Sequence, residues 1–302
     1  MMVVMNVVVV GGAGFIGSHL VERLIADGDA VDVVDDLSHG SLGNLADARA
    51  MVGTLKIHHL DAGAGEFTSL IGMRRPDVLY HLAAIPRARP TPAALASSFA
   101  VTTNVLEAVR THRVGKVVVA LPASALYGRP AARDLPIKEV PLEPRGVRGA
   151  VARATVDLLA AYREYEAVEF TALALATVYG PRQRPDGGVV AALRSAAAEG
   201  RAPTITGDGR HTRDFVFIDD TVDALVKAGG RGSGLVINIG TGEQTPINTL
   251  WEMIAGPGAA QPDHVPADAN EVTRFAVSPV RARIHLSWSP WTSLAAGLTQ
   301  DR

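Results

Sequence analysis

A chain of 302 residues, 47% of them hydrophobic, has enough apolar material for one large core with a smaller region attached. A formal net charge of −2 gives no electrostatic reason to expect nucleic acid or an anionic membrane as a partner. Cysteine is absent, which excludes disulfides and thiolate chemistry, and no run approaches the roughly 18 apolar residues of a membrane span, so a soluble, cytoplasmic protein is expected.

The first predicted strand, Val3–Val10, runs directly into Gly11-Gly12-Ala13-Gly14-Phe15-Ile16-Gly17 and on into a helix over Phe15–Asp27. Each glycine has its own reason: Gly12 allows the tight turn, Gly14 lets the backbone approach a pyrophosphate, and Gly17 lets helix and strand pack closely. The unpaired N–H groups and positive dipole end of that helix suit phosphate. A second strand, Ala30–Val34, ends in Asp35-Asp36 at the distance a dinucleotide-binding fingerprint requires. A carboxylate there accepts from ribose hydroxyls and repels a 2′-phosphate, which predicts NAD over NADP.

Further strands are predicted at Leu55–His59, Val78–Leu82, Lys116–Leu121, Phe170–Ala176 and Val236–Ile239, with helices near Thr91–Thr111 and Ala150–Glu166. This alternation predicts an α/β fold, a Rossmann-type doubly wound parallel sheet with a smaller C-terminal substrate-binding region. Residues 1–180 form the NAD-binding domain on this reading, with the sheet completed by about 212–240, and 181–211 with 241–302 form the substrate side. Long loops are expected at Arg129–Arg148 and Gly180–Gly188, where such folds build sites. His58 and His59 are adjacent on a strand and face opposite ways, so no metal site is expected.

Taken together, the motifs resemble the extended short-chain dehydrogenase/reductase family, the NAD-dependent nucleotide-sugar epimerases and dehydratases of the UDP-glucose 4-epimerase-like kind. The likeness runs through Gly11–Gly17, Val34-Asp35-Asp36-Leu37-Ser38-His39-Gly40 with Asn44-Leu45, Asp61, and His81-Leu82-Ala83-Ala84. It continues through Ala125-Leu126-Tyr127-Gly128, Thr177-Val178-Tyr179-Gly180-Pro181-Arg182-Gln183 and the long run from Gly207 to Asp220. The resemblance implies cofactor contacts at Gly11, Gly14, Phe15, Ile16, Gly17, Asp35, Asp36, Ser38, Gly40, Asp61, Leu82, Ala83 and Ala84. It implies substrate contacts at Thr177, Arg182 and Arg213, a nucleotide-sugar substrate, and a homodimer. Arg213 has a second reading, a charge pair with Asp214 or Asp219.

In that family a tyrosine takes the substrate's hydroxyl proton, helped by a lysine one helical turn on and by a serine or threonine. The corresponding positions here hold Arg148, Ala152 and Ala123, and none of Tyr80, Tyr127, Tyr162, Tyr165 or Tyr179 has a lysine four residues later. Arginine stays protonated and cannot serve as the base. Ser124, Tyr127 and Arg148 are the replacement candidates. Ser124 follows Ala123 directly, so on a strand it would face the opposite side. His81 and His211 are weaker candidates, Glu139 and Asp157 weaker still. The family's late phosphate-binding arginine falls on Asp268. Three functions stand open: an NAD-dependent nucleotide-sugar enzyme with a relocated acid-base group, a catalytically silent NAD-binding relative acting as redox sensor or partner-binding module, and an oxidoreductase or lyase on a different substrate.

Overall fold

The structure, a computed structural model, describes residues 4–83, 85, 91–139, 142–267 and 272–300. Its centre is a seven-stranded sheet built from Asn6–Val10 (β1), Ala30–Asp35 (β2), Thr54–His59 (β3), Val78–His81 (β4), Lys116–Pro122 (β5) and Phe170–Leu175 (β6). Three short pairs draw on Thr177–Tyr179 (β7), Thr204–Thr206 (β8), Thr212–Arg213 (β9) and Phe215–Phe217 (β10) before Leu235–Ile239 (β11) completes the main sheet. Thr245–Pro246 (β12) and Asp263–Val265 (β13) supply the remaining short partners. The order across the main sheet is β11-β6-β5-β4-β1-β2-β3, with every pairing parallel.

The crossovers are helical: Phe15–Ala26 (α1), Ala46–Ala50 (α2), Gly65–Arg74 (α3), Pro92–His112 (α4), Ala123–Tyr127 (α5), Gly146–Glu166 (α6), Val189–Ala198 (α7) and Ile218–Gly230 (α8). Ile247–Ala255 (α9), Val280–Leu286 (α10) and Leu294–Gln300 (α11) follow in the C-terminal part. The four consecutive valines of β1 are explained by cover on both faces. Val7 and Val9 meet the side carrying Leu20, Val21 and Leu24 of α1 with Ala224 and Leu225 of α8. Val8 and Val10 join the side carrying Phe67, Val105, Leu106 and Leu159 from α3, α4 and α6. Each such valine, leucine or phenylalanine side chain, fully buried, contributes about 1.5–3 kcal/mol.

Two predicted boundaries change for physical reasons. The α6 helix begins at Gly146, four residues earlier than periodicity suggests, although glycine disfavours helix. Glycine serves a different need at each place: Gly146 takes a φ of +66 at the helix start, and at Gly149 a Cβ would lie 2.9 Å from both Ala125 O and Pro144 Cβ. The second change concerns Ser124 and Tyr127, which lie on the short helix α5 rather than on a strand or loop. His58 and His59 diverge as adjacent strand residues do: His58 Nε2 lies 2.6 Å from Asp32 Oδ1, and His59 Nε2 lies 3.1 Å from Asp36 O.

Buried carboxylates tie the C-terminal part to the sheet. Asp214 accepts from Thr241 N (2.8 Å), Thr241 Oγ1 (2.6 Å), Gly242 N (3.0 Å) and Val277 N (3.1 Å). Asp220 does the same for Trp291 N, Thr292 N and Thr292 Oγ1.

At the end of β4, His81 is fully buried and its Nε2 lies 3.1 Å from Thr102 Oγ1. Burial pushes it down to about 4. The unfolded chain therefore takes up a proton that the fold refuses, and stability falls as pH drops from the ordinary histidine range of about 6.5 toward about 4. Urea unfolding across that range is expected to show a loss of about 3 kcal/mol that is missing from His81→Gln. Parallel curves for the two proteins would contradict this.

Candidate functional site

A groove of about 550 Å³ opens at the carboxyl ends of β1, β2 and β4. Its floor is the glycine turn, where Gly11 adopts φ +80 and Gly14 N donates to Gly11 O at 3.2 Å. The α1 helix starts there with no side chain capping it and no acid in its first turn. The N–H groups of Phe15, Ile16 and Gly17 therefore lack helical acceptors and lie where an anion can take them. A Cβ at Gly17 would drive into Gly11 O and Gly12 Cα, so only glycine permits this approach.

Asp35 fixes the second wall. Its carboxylate, buried at the end of β2, accepts from Ala13 N and from Leu37 N, both at 2.9 Å. Burial raises its pKa, and the two backbone N–H groups pull it back down. The following segment folds over the turn through Ser41 N to Ala13 O (3.0 Å) and Asn44 Nδ2 to Ala13 O (2.9 Å). Asp36 stays exposed and accepts from Ser38 N and Ser38 Oγ at 2.9 and 2.7 Å. Asp61 turns its own loop by accepting from Gly63 N at 2.8 Å.

Gly11, Gly14, Phe15, Ile16, Gly17, Asp35, Asp36, Ser38, Gly40, Asp61, Leu82 and Ala83 all line this one groove. Ala84 lies outside the described residues, as does Asp268. Sequence reasoning missed the wall made by Ala94, Ser97, Ser98 and Val101 of α4. Their helical spacing was visible, but small residues at that spacing read equally well as packing.

The expected catalytic region divides between α5 and α6. Ala123 and Ala152 are both buried, whereas Ser124 is exposed. Because α5 is helical, the strand alternation that set Ser124 against Ala123 does not apply. Tyr127 is buried and its hydroxyl donates to Asn238 Oδ1 at 2.6 Å. Burial, and then the nearby Glu139, push that phenol well above its usual range. The fold uses this hydroxyl, and it is poorly placed to take a proton. Arg148 lies half-buried in the first turn of α6, and burial lowers its pKa, although a guanidinium remains charged.

The three expected substrate residues do not share one set of partners. Thr177 is half-buried in β7 and its N–H donates to Asp214 O at 2.9 Å. Arg213, on β9, donates to Thr212 O (2.9 Å) and Val272 O (2.7 Å). The Asp214 side of its alternative charge pair is already occupied by the four donors described above. Arg182 is held within the fold: its guanidinium pairs with Glu22 at 2.6 Å and Asp47 at 3.0 Å. That arginine, with its backbone at φ +66, straps the 181–188 loop to α1 and α2.

The NAD dependent epimerase/dehydratase family matches residues 7–240. The UDP-glucose 4-epimerase of Mycolicibacterium smegmatis is 38% identical over 98% of this chain and 97% of its own. Among solved structures, the Thermotoga maritima UDP-glucose 4-epimerase with UDP-glucose superposes at a TM-score of 0.91, with 31% identity over 98% of this chain and 97% of that one. The Thermus thermophilus UDP-glucose 4-epimerase complex with NAD gives 0.88 and 28%, with the same two coverages.

Substituting Gly17→Ala is expected to lower nucleotide affinity at least about tenfold and to cost about 1–3 kcal/mol of stability, because backbone must shift to admit the methyl. Calorimetric titration with NAD and urea unfolding read the two effects. Unchanged affinity would mean that the turn is not the phosphate cradle.

Proposed function

Because this chain belongs to the NAD-dependent epimerase/dehydratase family, we propose that it holds NAD in the groove described above and modifies a nucleotide sugar seated against α5 and α6. One observation carries the reading. Twelve residues singled out by motif converge on a single groove whose size, uncapped helix and flanking carboxylates suit a dinucleotide. The N–H groups of Phe15–Gly17 would hold the pyrophosphate, Asp35 and Asp36 the adenosine ribose, and Asp61 the adenine side. When bound, NAD supplies a hydride acceptor. Relatives in the same family include enzymes named for UDP-glucose epimerisation and UDP-glucuronic acid decarboxylation, which supports a nucleotide sugar as substrate class. Thr177 and Arg213 are the residues proposed to meet it; Arg182 acts as a strap.

The protein's own acid-base apparatus is reduced. Oxidising a sugar carbon requires its hydroxyl proton to leave, and the usual phenol and ammonium have no counterpart at Arg148 and Ala152. Ser124, exposed on α5, offers a hydroxyl through which that proton reaches solvent, and Arg148 offers a fixed positive charge that favours the developing alkoxide. A second reading, an NAD-binding relative without turnover that acts as a sensor or partner-binding module, is favoured by the commitment of the Tyr127 hydroxyl to Asn238. An oxidoreductase or lyase acting on another substrate is a third.

We also propose a homodimer formed through α4 and α6. Both helices run 21 residues and pack on one face of the sheet, and they expose Phe99 on α4 with Val147 and Tyr165 on α6. The division into an NAD-binding domain over 1–180 and a substrate region over 181–211 and 241–302 belongs to the same proposal. So does a cytoplasmic site of action, where nicotinamide nucleotides and nucleotide sugars are available; no helix among the described residues is long and apolar enough to cross a membrane.

Purified protein is expected to release NAD on denaturation and to convert a UDP-hexose slowly. Ser124→Ala should abolish that turnover and Tyr127→Phe should spare it. The triple change Ala123→Ser, Arg148→Tyr and Ala152→Lys is expected to raise the rate by about 10²–10⁴. Protein that binds NAD, turns over nothing and gains nothing from the triple change would favour the silent reading. Light scattering is expected to give twice the chain mass, falling to one with Phe99→Glu and Tyr165→Glu together; a monomer in the unaltered protein would refute the dimer.

A further inference from the structure

The loop between β3 and α3 supplies one wall of the groove through Leu60, Asp61 and Ala62. It is closed within itself: Asp61 Oδ1 accepts from Gly63 N at 2.8 Å, and Asp61 O accepts from Ala64 N at 3.0 Å. An Asx turn of this kind has a fixed shape, but its place against the groove is set by what holds its two ends. On the entry side Leu60 N donates to Asp35 O at 3.1 Å, which ties the loop to the end of β2.

On the exit side the tie comes from α4. Asn104 Nδ2 donates to Ala62 O at 2.7 Å and to Ala64 O at 3.0 Å. Thr68 Oγ1 of α3 donates to Oδ1 of the same amide at 3.4 Å, so both ends of this side chain are engaged. Ala64 O has a second donor in Phe67 N at 3.2 Å, which makes the shorter bond to Ala62 O the one that anchors the groove wall. Residues 97, 101 and 104 share one helical face, and Ser97 and Val101 line the groove. A Cβ at Gly63 would lie 3.3 Å from Val101 Cγ2, so loop and helix also meet closely. The stripe that walls the groove thus carries the amide that holds the loop beside it. Packing of α3 on α4 would be served by an apolar side chain at 104; two donors aimed at loop carbonyls set direction as well as distance.

Asp61 itself is exposed, and among the described residues Gly63 N is the donor to its carboxylate, through Oδ1, which leaves Oδ2 for a donor carried by the ligand. We infer that Asn104 is a positioning residue for the choice of purine: by fixing the 60–64 loop it holds the Asp61 carboxylate where it accepts from the 6-amino group of adenine. This rests on the cofactor reading above and deepens it. A 6-oxo purine presents an acceptor at the same place, so a carboxylate held there rejects it. A carboxylate on a loosened loop turns away from either base and discriminates less.

The test is a competition. Purified protein is held with an excess of NAD and its hypoxanthine analogue in equal amounts until the bound ratio is constant, freed of unbound nucleotide and denatured, and the released dinucleotides are separated and measured. The unaltered protein is expected to prefer NAD by at least about tenfold, the scale of a hydrogen bond to a charged group, and Asp61→Ala to lose that preference. Asn104→Ala and Asn104→Asp should each reduce it to about threefold or less, while Asn104→Gln, which keeps the amide, retains more of it than either. The added charge in Asn104→Asp cancels, because the two dinucleotides carry the same charge. If Asn104 only joins α3 to α4, urea unfolding comes earlier and both dinucleotides are lost in proportion; a preference that survives in this way overturns the inference and leaves the role of Asp61 in place. Equal uptake of the two by the unaltered protein overturns both. Unaltered protein that takes up neither overturns the cofactor reading as well.

Discussion

The grip of the Asp35 carboxylate on the glycine turn is the contact on which the rest of the groove at the carboxyl ends of β1, β2 and β4 depends. Without an acceptor for Ala13 N at 2.9 Å, the turn would expose a buried donor, and α1 would lose its register against β1 and β2. The same carboxylate receives Leu37 N, which starts the loop that folds back over Ala13 through Ser41 and Asn44. One side chain therefore joins strand, turn and covering loop. The helix dipole at Phe15–Gly17 is useful to an anion only because this arrangement keeps the helix start open and unoccupied by side chains.

A second polar knot performs the same service for the C-terminal part of the chain. Asp214 gathers Thr241, Gly242 and Val277, and its own carbonyl receives Thr177 N. Asn238 gathers Tyr127 and Ile137 through its side chain, and Glu139 through its N–H. Each is a buried group whose partners come from distant parts of the chain, so each is expensive to disturb and specific in what it positions. The junction of α5 and α6, proposed above to meet the substrate, thus rests on polar contacts made far from it.

Legibility in the sequence followed the range of the interactions. The glycine turn, its helix and the acid ending β2 lie within about 30 residues and obey local geometry, so their placement could be read directly. The α4 wall of the groove could not, because Ala94, Ser97, Ser98 and Val101 carry no chemistry that separates lining from packing. Arg182 looked like a substrate residue by motif. Its actual partners, Glu22 and Asp47, stand more than a hundred positions away in the chain and only folding brings them near.

The sequence by itself determined the parallel α/β layering, the glycine turn and the absence of any tyrosine with a lysine four residues on, since periodicity, glycine spacing and residue identity are local properties. Tertiary structure alone decided the fates of three side chains: Tyr127 spends its hydroxyl on a residue 111 positions away, Ser124 is exposed on a short helix, and Arg148 is half-buried in the first turn of α6. The reason is that a side chain's protonation and accessibility depend on what surrounds it in space. In a doubly wound fold those surroundings come from crossovers that sequence spacing does not encode.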